Sequence, residues 1–283
     1  MNQRESKENS CEDRYTRLRA ITDFGYNITW EELKEKKVVI AGVGGLGVII
    51  ANQLARCGIG TLHLFDMDTV QNVNLNRMGY KPEDIGNPKV EVISEQIKRI
   101  NPHVEVKSTH GDIMSWDIEP IIEEAIQKAD IVMMGLDNYP ARMFVNLKCV
   151  RHKKVLINAG VSRSALSGFV HPIFPGVNAC LTCSATIRGS NSNKERSVER
   201  CNASLPTTMA IISSIQVQET LKLLLDFGDV IDYLSYNAIT GQFHTFKTKP
   251  DENCQSCKDI TVDESDYQQF PHIKKILNNR KIK

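Results

Sequence analysis

The sequence predicts an α/β fold, a Rossmann-like domain whose mainly parallel sheet is extended by antiparallel strands. Apolar strands alternate with helical segments through the first half of the chain, an order that implies right-handed crossovers between parallel strands. A glycine-rich run, 42–47, lies between the first strand and the next helix. Pro172 would break a central parallel ladder, so the strand around it is predicted to be antiparallel.

Apolar spacing, together with the positions of glycine and proline, predicts the individual helices and strands. Apolar residues at helical spacing predict a first helix over 14–33. Gly58 ends the helix after the glycine run, Pro102 follows a later helix, and Pro206 stands near the start of a long one. The predicted helices are 14–33, 48–57, 89–100 and 207–225. The predicted strands are 37–41, 61–65, 104–107, 131–136, 155–158, 168–175, 230–236 and 242–247.

Composition is that of an ordinary globular protein. Of its 283 residues, 41% are hydrophobic and 24% are charged. Lys and Arg number 35 against 34 for Asp and Glu, so we expect neither nucleic acid nor a membrane surface as a partner. The first residues contain no apolar signal segment, and no stretch reaches the ~18 apolar residues of a membrane helix. A cytoplasmic location is therefore expected.

Four of the eight cysteines form two C-x-x-C pairs, Cys180 with Cys183 and Cys254 with Cys257. Each short turn presents two sulfurs to one ion, and two such pairs match a tetrahedral zinc site made of thiolates. A single pair would leave a redox motif as a strong alternative. Because there are two, and neither opens a helix after a strand, the sequence favours structural zinc.

The glycine run predicts a nucleotide site. Gly42, Gly44 and Gly47, with Gly45 between them, let the backbone approach phosphates closely at the start of a helix. Asp66 ends the second strand, where a carboxylate can accept hydrogen bonds from a ribose. This pattern alone does not separate a dinucleotide-dependent dehydrogenase from an enzyme that uses ATP.

The residues after Asp66 favour ATP. Asp68, Asn74, Arg77 and Lys89 lie in a polar run that hydride transfer does not need, whereas a triphosphate requires several cationic and amide donors. The alternative is that this polar run is only an exposed loop before a helix.

Two further candidates follow the fourth predicted strand. Asp137 could hold Mg²⁺ at the carboxyl end of that strand, or it could simply cap the next helix. Asn138 beside it is a neutral donor for a nucleotide.

Together these motifs resemble the adenylation domain of ThiF/MoeB-type and ubiquitin-like-modifier-activating enzymes. The segment 14–17 is similar to a family segment whose second arginine, here Arg17, enters the ATP site of the partner subunit. The segments 57–60, 159–162, 201–209 and 236–238 most resemble the activating enzymes of the ubiquitin-fold modifier.

Polar composition at the ends of the chain and the span of the resemblance together predict three regions. They are a disordered tail over 1–13, a ThiF-type adenylation domain over 14–257, and a polar tail over 258–283. Within the domain, 184–206 is expected to be a mobile loop that carries Cys201.

The implied activity is adenylation of the glycine-terminated C terminus of a ubiquitin-like or sulfur-carrier protein, with ATP, Mg²⁺ and Zn²⁺ as cofactors. The implied partners are a second copy of the chain and, downstream, a conjugating enzyme. The implied catalytic residues are Cys201, which would form a thioester, and Arg17, Arg77, Lys89 and Asp137. Nucleotide contacts are expected from Gly42, Gly44, Gly45, Gly47, Asp66, Asp68, Asn74, Arg77, Lys89, Asp112 and Asn138, and zinc ligands from Cys180, Cys183, Cys254 and Cys257.

Three alternatives stay open at this point. The chain could activate a sulfur carrier without an enzyme thioester, or it could be a non-catalytic scaffold subunit of a heterodimer. Cys201 could also be an incidental loop cysteine or one that forms a persulfide.

Overall fold

An eight-stranded mixed sheet organises the chain in the computed structural model, which describes residues 13–26, 28–183, 203–263, 265–271 and 273. The strands lie in the order β3-β2-β1-β4-β5-β6-β7-β8. They are β1 Lys37–Ala41, β2 Thr61–Asp66, β3 Glu105–His110, β4 Ile131–Met134, β5 Val155–Val161, β6 Ser167–Ile173, β7 Tyr233–Asn237 and β8 Gln242–Phe246. The first five strands pair in parallel and the last three join by antiparallel pairing, as predicted.

Helices cover both faces of this sheet. They are α1 Thr16–Arg19, α2 Gly47–Cys57, α3 Lys89–Ile100, α4 Glu119–Lys128, α5 Tyr139–Arg151 and α6 Pro206–Leu225. Val38 and Ile40 of β1 belong to one apolar cluster with α2, α3 and α6, whereas Val39 and Ala41 belong to a second with α4 and α5. Successive side chains of a strand point to opposite faces, so a strand buried on both faces is continuously apolar. The result is a helix–sheet–helix sandwich.

The chain reverses its direction of travel across the sheet at β1. β2 and β3 lie on one side of β1, and β4 and β5 lie on the other. In open α/β sheets such a switch point leaves a crevice outside the carboxyl ends of the strands, and ligands bind there.

The predicted helix over 14–33 is wrong. Only Thr16–Arg19 is α-helical, and 3-10 turns follow at Ala20–Phe24 and Trp30–Glu35. Gly25 has a φ of +87°, a left-handed conformation that ends the first 3-10 turn. Phe24 points into solvent, whereas Leu33 is buried in the core, so the apolar stripe is shared between two separate turns.

The sequence patterns also missed α4 and α5. Both helices carry a proline in the first turn, which is compatible with a helix start. Helix α5 has little apolar periodicity, whereas α4 does carry a helical signal, since Ile122 and Ile126 are buried four residues apart. Strand bounds differ by a few residues, since β4 ends at Met134 and β7 begins only at Tyr233.

Part of the segment expected to be a polar C-terminal tail packs into the core. Tyr267, Phe270 and Ile273 are buried, and the Tyr267 hydroxyl donates to the Pro175 carbonyl at 2.8 Å. The expectations for 1–12, for 184–202 with Cys201, and for 274–283 lie outside the described residues. No helix within the described ranges combines the length and apolarity needed to cross a bilayer.

His63 on β2 should make stability depend on pH. Its Nε2 lies 2.9 Å from the Thr109 hydroxyl and its ring stacks on Phe65. Burial, assisted by the charge of Lys107, lowers the pKa of His63 from 6.5 to about 4. Between these values the unfolded chain binds the proton and the folded chain does not, so stability falls as pH falls from 6.5 to about 4.

The matched variant is His63→Gln, which keeps a polar partner for Thr109 and cannot titrate. Urea unfolding at several pH values should show a smaller loss of stability in the variant across that window. Equal pH dependence in the two proteins would contradict this role for His63.

Candidate active site

A cavity of about 650 Å³ opens at the carboxyl ends of the strands around β1. It brings together most of the nucleotide-site residues expected from the sequence. Those that line it are Gly42, Gly44, Gly45, Asp66, Asp68, Asn74, Arg77, Lys89, Asp112, Asp137 and Asn138. Gly47 and Arg17 are not in its wall, and Cys201 lies outside the described residues.

The glycine loop leaves open space at one position and packs tightly at others. A Cβ on Gly42, whose φ is +90°, would lie 2.8 Å from the Gly135 carbonyl carbon, and one on Gly47 would lie 1.9 Å from the Gly42 oxygen. At Gly44 a Cβ would meet nothing within 4 Å. The loop is therefore held against β4 and α2 while Gly44 faces the cavity, a cradle that suits a phosphate at a helix start.

Asp66 stabilises the glycine loop through a hydrogen bond to its backbone. Its Oδ2 accepts from the Val43 backbone at 2.8 Å, and its Oδ1 accepts from the Asp68 backbone at 2.9 Å. Burial raises the pKa of Asp66, and the nearby charge of Lys89 opposes that shift. Each carboxylate oxygen keeps a second lone pair, so Asp66 can still accept from a ribose.

Two cations lie on the segment that follows β2. Lys89 is buried at the start of α3, and its Nζ lies 2.6 Å from Oδ2 of Asp68. The Arg77 Nε is buried and has no hydrogen-bond partner within the described ranges, and its Nη1 lies 4.0 Å from the Met209 sulfur. A thioether is a weak acceptor, so this guanidinium keeps donors for an anion.

Asn138, and not Asp137, caps helix α5. The Asn138 Oδ1 accepts from the Ala141 backbone at 2.8 Å, which is the N-cap hydrogen bond. The alternative that Asp137 merely caps the helix is therefore wrong. Asp137 is exposed at the cavity wall, and an exposed carboxylate at the end of a parallel strand is a suitable magnesium ligand.

The side chains of two other expected residues stabilise loops by accepting backbone hydrogen bonds. The Asn74 Oδ1 accepts from the Gln71 backbone at 2.9 Å, and the Asp112 Oδ1 accepts from the Met114 backbone at 2.9 Å. The Asn74 side chain still has its amide nitrogen to offer a ligand.

The sequence patterns missed the half of the cavity that β5, β6 and β7 provide. Its wall includes Asn158, Phe169, His171 and Tyr233, together with Arg142 of α5. The Phe169 and Tyr233 rings stack with centroids 5.7 Å apart. These residues come from β5, from the antiparallel strands β6 and β7, and from an unpredicted helix, so no local motif in the sequence marks them.

The four expected zinc ligands form a buried cluster. The sulfurs of Cys180, Cys183, Cys254 and Cys257 all lie within 4.8 Å of one another. Neighbouring sulfurs are 3.4 to 3.7 Å apart. Four sulfurs at the ~2.3 Å zinc–sulfur distance would be ~3.8 Å apart, so the cluster fits a tetrahedral thiolate site.

Hydrogen bonds favour the charged thiolate form of one of these cysteines, Cys183. A hydrogen bond from the Cys180 thiol lowers the pKa of Cys183 to about 5, whereas burial raises the pKa of Cys257 to about 12. The Asp251 backbone donates to the Cys183 sulfur at 3.4 Å. Amide donors of this kind commonly support metal-bound thiolates.

Two expected residues lie outside the described cavity. Arg17 is exposed on α1 and is not among the residues that line the cavity of its own chain. Cys201 is not described, but Ala203 lines the cavity and its backbone donates to the Arg163 carbonyl at 3.0 Å.

Comparison with solved structures shows the same fold elsewhere. The Escherichia coli protein MccB, solved with ATP, superposes with a TM-score of 0.73 at 24% identity. The match covers 87% of this chain and 74% of that one. At this identity the likeness concerns the fold alone.

Sequence comparison identifies the family. The ThiF family model matches residues 15–256. A "Ubiquitin-like modifier-activating enzyme 5" from Caenorhabditis briggsae is 37% identical over 85% of this chain and 58% of its own length. The protein of that name from Dictyostelium discoideum is 36% identical over 90% of this chain and 70% of its own length. The chain thus spans less than two thirds of the first of these relatives, and it belongs to the ThiF family.

Proposed function

We propose that this chain activates a ubiquitin-like protein: it adenylates the C-terminal carboxylate with ATP and then transfers the acyl group to Cys201. The observation that carries the proposal is the cavity itself, where the glycine loop, Arg77, Lys89 and an exposed Asp137 converge. The names of the relatives support a ubiquitin-like protein as the substrate.

The first step joins two anions, so the protein must offset charge and align the reactants. A carboxylate oxygen of the carrier attacks the α-phosphorus of ATP, the bond to pyrophosphate breaks, and an acyl-adenylate forms. Arg77 and Lys89 would offset the phosphate charge together with Arg17 of the partner subunit. The exposed position of Arg17, outside the lining of its own cavity, supports a homodimer with composite sites.

Asp137 would hold Mg²⁺, which when bound assists departure of pyrophosphate. Asp66 would fix the ribose, and Asn74 and Asn138 would supply neutral donors near the nucleotide. Asp68 would keep the Lys89 ammonium at the cavity wall through the ion pair that the two residues form.

The second step would use Cys201. Its thiolate attacks the acyl carbon, a thioester forms, and AMP leaves with the carboxylate oxygen that attacked phosphorus. Cys201 stands two residues before Ala203 in the sequence, and Ala203 lines the cavity. This closeness along the chain supports the proposal.

Zinc would be structural in this proposal. Four thiolates fill its coordination shell, so no position is open for water or substrate. The ion would join the segment after β6 to the segment after β8. Thiols that must stay reduced also favour a cytoplasmic location.

The names of the relatives favour a modifier-activating enzyme over an adenylyltransferase that only serves a sulfur carrier. The phosphate-binding cations in the cavity disfavour a silent scaffold subunit. A downstream conjugating enzyme is part of the proposal as the acceptor of the thioester, whereas nucleic acid and membrane are not.

Substitutions of Cys201 separate the thioester enzyme from the sulfur-carrier alternative. Cys201→Ala should still make acyl-adenylate in the presence of ATP and a glycine-terminated carrier, but it should form no covalent adduct with the carrier. Cys201→Ser should trap an ester that thiol reductant does not cleave, because oxygen is the weaker nucleophile and its ester is more stable to thiols. Non-reducing gels and intact-protein mass spectrometry report both results.

Cys57→Ala is the matched control, because Cys57 lies outside both the cavity and the four-cysteine cluster. If Cys201→Ala forms the reductant-sensitive adduct as fast as wild type, Cys201 is not the acceptor.

A further inference from the structure

Asn158 on β5 presents a buried polar group to the cavity wall. Its side chain is 1% exposed, and its Oδ1 accepts from Nη2 of Arg142 at 2.5 Å. Its Nδ2 is buried and has no hydrogen-bond partner among the residues that the structure describes. Asn158 lines the cavity, and its buried Nδ2 is a donor that the described residues leave unused.

The chemistry of Arg142 fixes which end of the amide is free. A guanidinium has only donors, so the oxygen of Asn158 must face it and the NH₂ group must face away. A buried donor without a partner destabilises the folded protein, because it has lost its hydrogen bonds to water. A cavity that leaves such a donor in its wall is suited to a ligand with an acceptor oxygen.

Arg142 is itself held firmly. Its Nη1 donates to the Leu136 carbonyl at 2.7 Å, and its Nη2 also donates to the Ala159 carbonyl at 2.8 Å. These contacts join the ends of β4 and β5 and set the position of the Asn158 side chain. A cation that binds the amide oxygen also polarises the amide, so its N–H groups become stronger donors.

The order of the strands indicates which ligand atom lies there. Asp66 ends β2, the glycine loop follows β1, Asp137 follows β4, and Asn158 lies on β5. These strands are adjacent in the order β2-β1-β4-β5. Arg77 and Lys89 both come from the segment after β2, and of these four strands β2 lies farthest from β5.

In an in-line displacement the nucleophile enters opposite the leaving group. If Arg77 and Lys89 receive the departing pyrophosphate, with the Mg²⁺ that Asp137 would hold between them and β5, the incoming carboxylate approaches from the β5 side. Asn158 lies on that side.

We propose that the side-chain amide of Asn158 donates a hydrogen bond to the C-terminal carboxylate of the carrier, with Arg142 as its positioning residue. The inference rests on the proposed function and names a residue that binds the second substrate. The amide would bind the oxygen that does not attack and that becomes the acyl carbonyl. Because the amide is neutral, it orients the carboxylate and leaves its charge, and hence its nucleophilicity, in place.

The test compares Asn158→Asp with wild type, using mature ubiquitin-fold modifier that ends in its terminal glycine. The substitution keeps an oxygen for Arg142 but replaces the donor with a second oxygen that repels a carboxylate. Carrier-dependent exchange of radiolabelled pyrophosphate into ATP should fall about 10²-fold. The affinity for ATP without carrier should change by less than about 3-fold. Asn158→Ala, which adds no charge, should raise KM for the carrier and lower exchange about 10-fold.

Asn52→Asp is the matched control. The Asn52 Oδ1 also accepts from an arginine, Arg56 Nε at 2.8 Å, but Asn52 is not in the cavity wall. This control should exchange like wild type. Melting temperature and zinc content verify that each variant is folded.

The outcomes separate the two proposals. If Asn158→Asp catalyses pyrophosphate exchange at the wild-type rate, the role of Asn158 is overturned and the proposed function still stands. If Asn158→Asp loses ATP affinity by the same factor as it loses exchange activity, the role of Asn158 is also overturned, because the residue would then bind the nucleotide and not the carrier. No exchange in wild type would overturn both proposals.

Discussion

Replacing Asp137 with alanine is expected to reduce carrier-dependent exchange of pyrophosphate into ATP by about 10²-fold or more. Asp137 is exposed at the carboxyl end of β4, and Asn138 has already taken the N-cap position. Its carboxylate is therefore available to bind the divalent cation that offsets charge on the triphosphate. Lys89→Ala should cause a loss of similar size, since it removes a buried cation from the cavity wall.

Asp117→Ala provides the control for the Asp137 variant. Asp117 is also an exposed aspartate, but it does not line the cavity. The Asp117→Ala protein should catalyse carrier-dependent pyrophosphate exchange at the wild-type rate at every magnesium concentration. Asp137→Ala should in addition require more magnesium for half-maximal rate. Exchange that survives both Asp137→Ala and Lys89→Ala would contradict the assignment of the cavity to ATP.

Cys254→Ser is expected to abolish zinc binding and to destabilise the protein by about 4 kcal/mol or more. The four sulfurs hold together two segments that are far apart in sequence, and hydroxyl oxygen is a poor replacement for a thiolate in such a shell. For a chain of this size the loss corresponds to roughly 10 °C in Tm. Metal analysis of freshly purified protein should find one zinc per wild-type chain.

Cys57→Ser is the control for the metal experiment, because the same substitution is made outside the cluster. It should keep its zinc, and its Tm should stay close to that of wild type. A wild-type protein with less than half an equivalent of zinc, or a Cys254→Ser protein as stable as wild type, would contradict a structural metal.

The parts of the fold that the sequence predicted depend on local signals. The β1 strand, the glycine loop, α2 and Asp66 follow one another within a single β–α–β unit, so spacing along the chain determines their neighbours in space. The cysteine cluster could be predicted for a different reason. A structural zinc ion takes four tetrahedral ligands, and two short cysteine pairs supply four thiolates wherever the chain brings the pairs together.

The parts that the sequence did not predict depend on contacts between distant elements. Arg142 reaches Asn158 across the gap between α5 and β5, and neither residue belongs to a recognisable motif. Tyr267 is buried in the core and its hydroxyl donates to the distant Pro175 carbonyl, which nothing near Tyr267 in the sequence indicates. The predicted first helix is too long because apolar spacing continues beyond Gly25, where the backbone adopts a left-handed conformation and the turn ends.

The Asp137–Asn138 pair shows a limit of motif reading at the site itself. Either side chain can accept from a backbone amide at a helix start, so the sequence left open which one caps and which one faces the ligand. The extended backbone at Asn138 places its oxygen toward the Ala141 amide, and that choice leaves Asp137 at the cavity.

Oxygen transfer from carrier to nucleotide tests the central claim most directly. A carrier whose C-terminal carboxylate is labelled with heavy oxygen is incubated with the enzyme and ATP, and the nucleotide products are analysed by mass spectrometry. If the carboxylate attacks the α-phosphorus and the acyl group then moves to a thiol, one labelled oxygen stays on AMP. Label in pyrophosphate or inorganic phosphate, or AMP that forms without label, would contradict adenylation of the carrier by this chain.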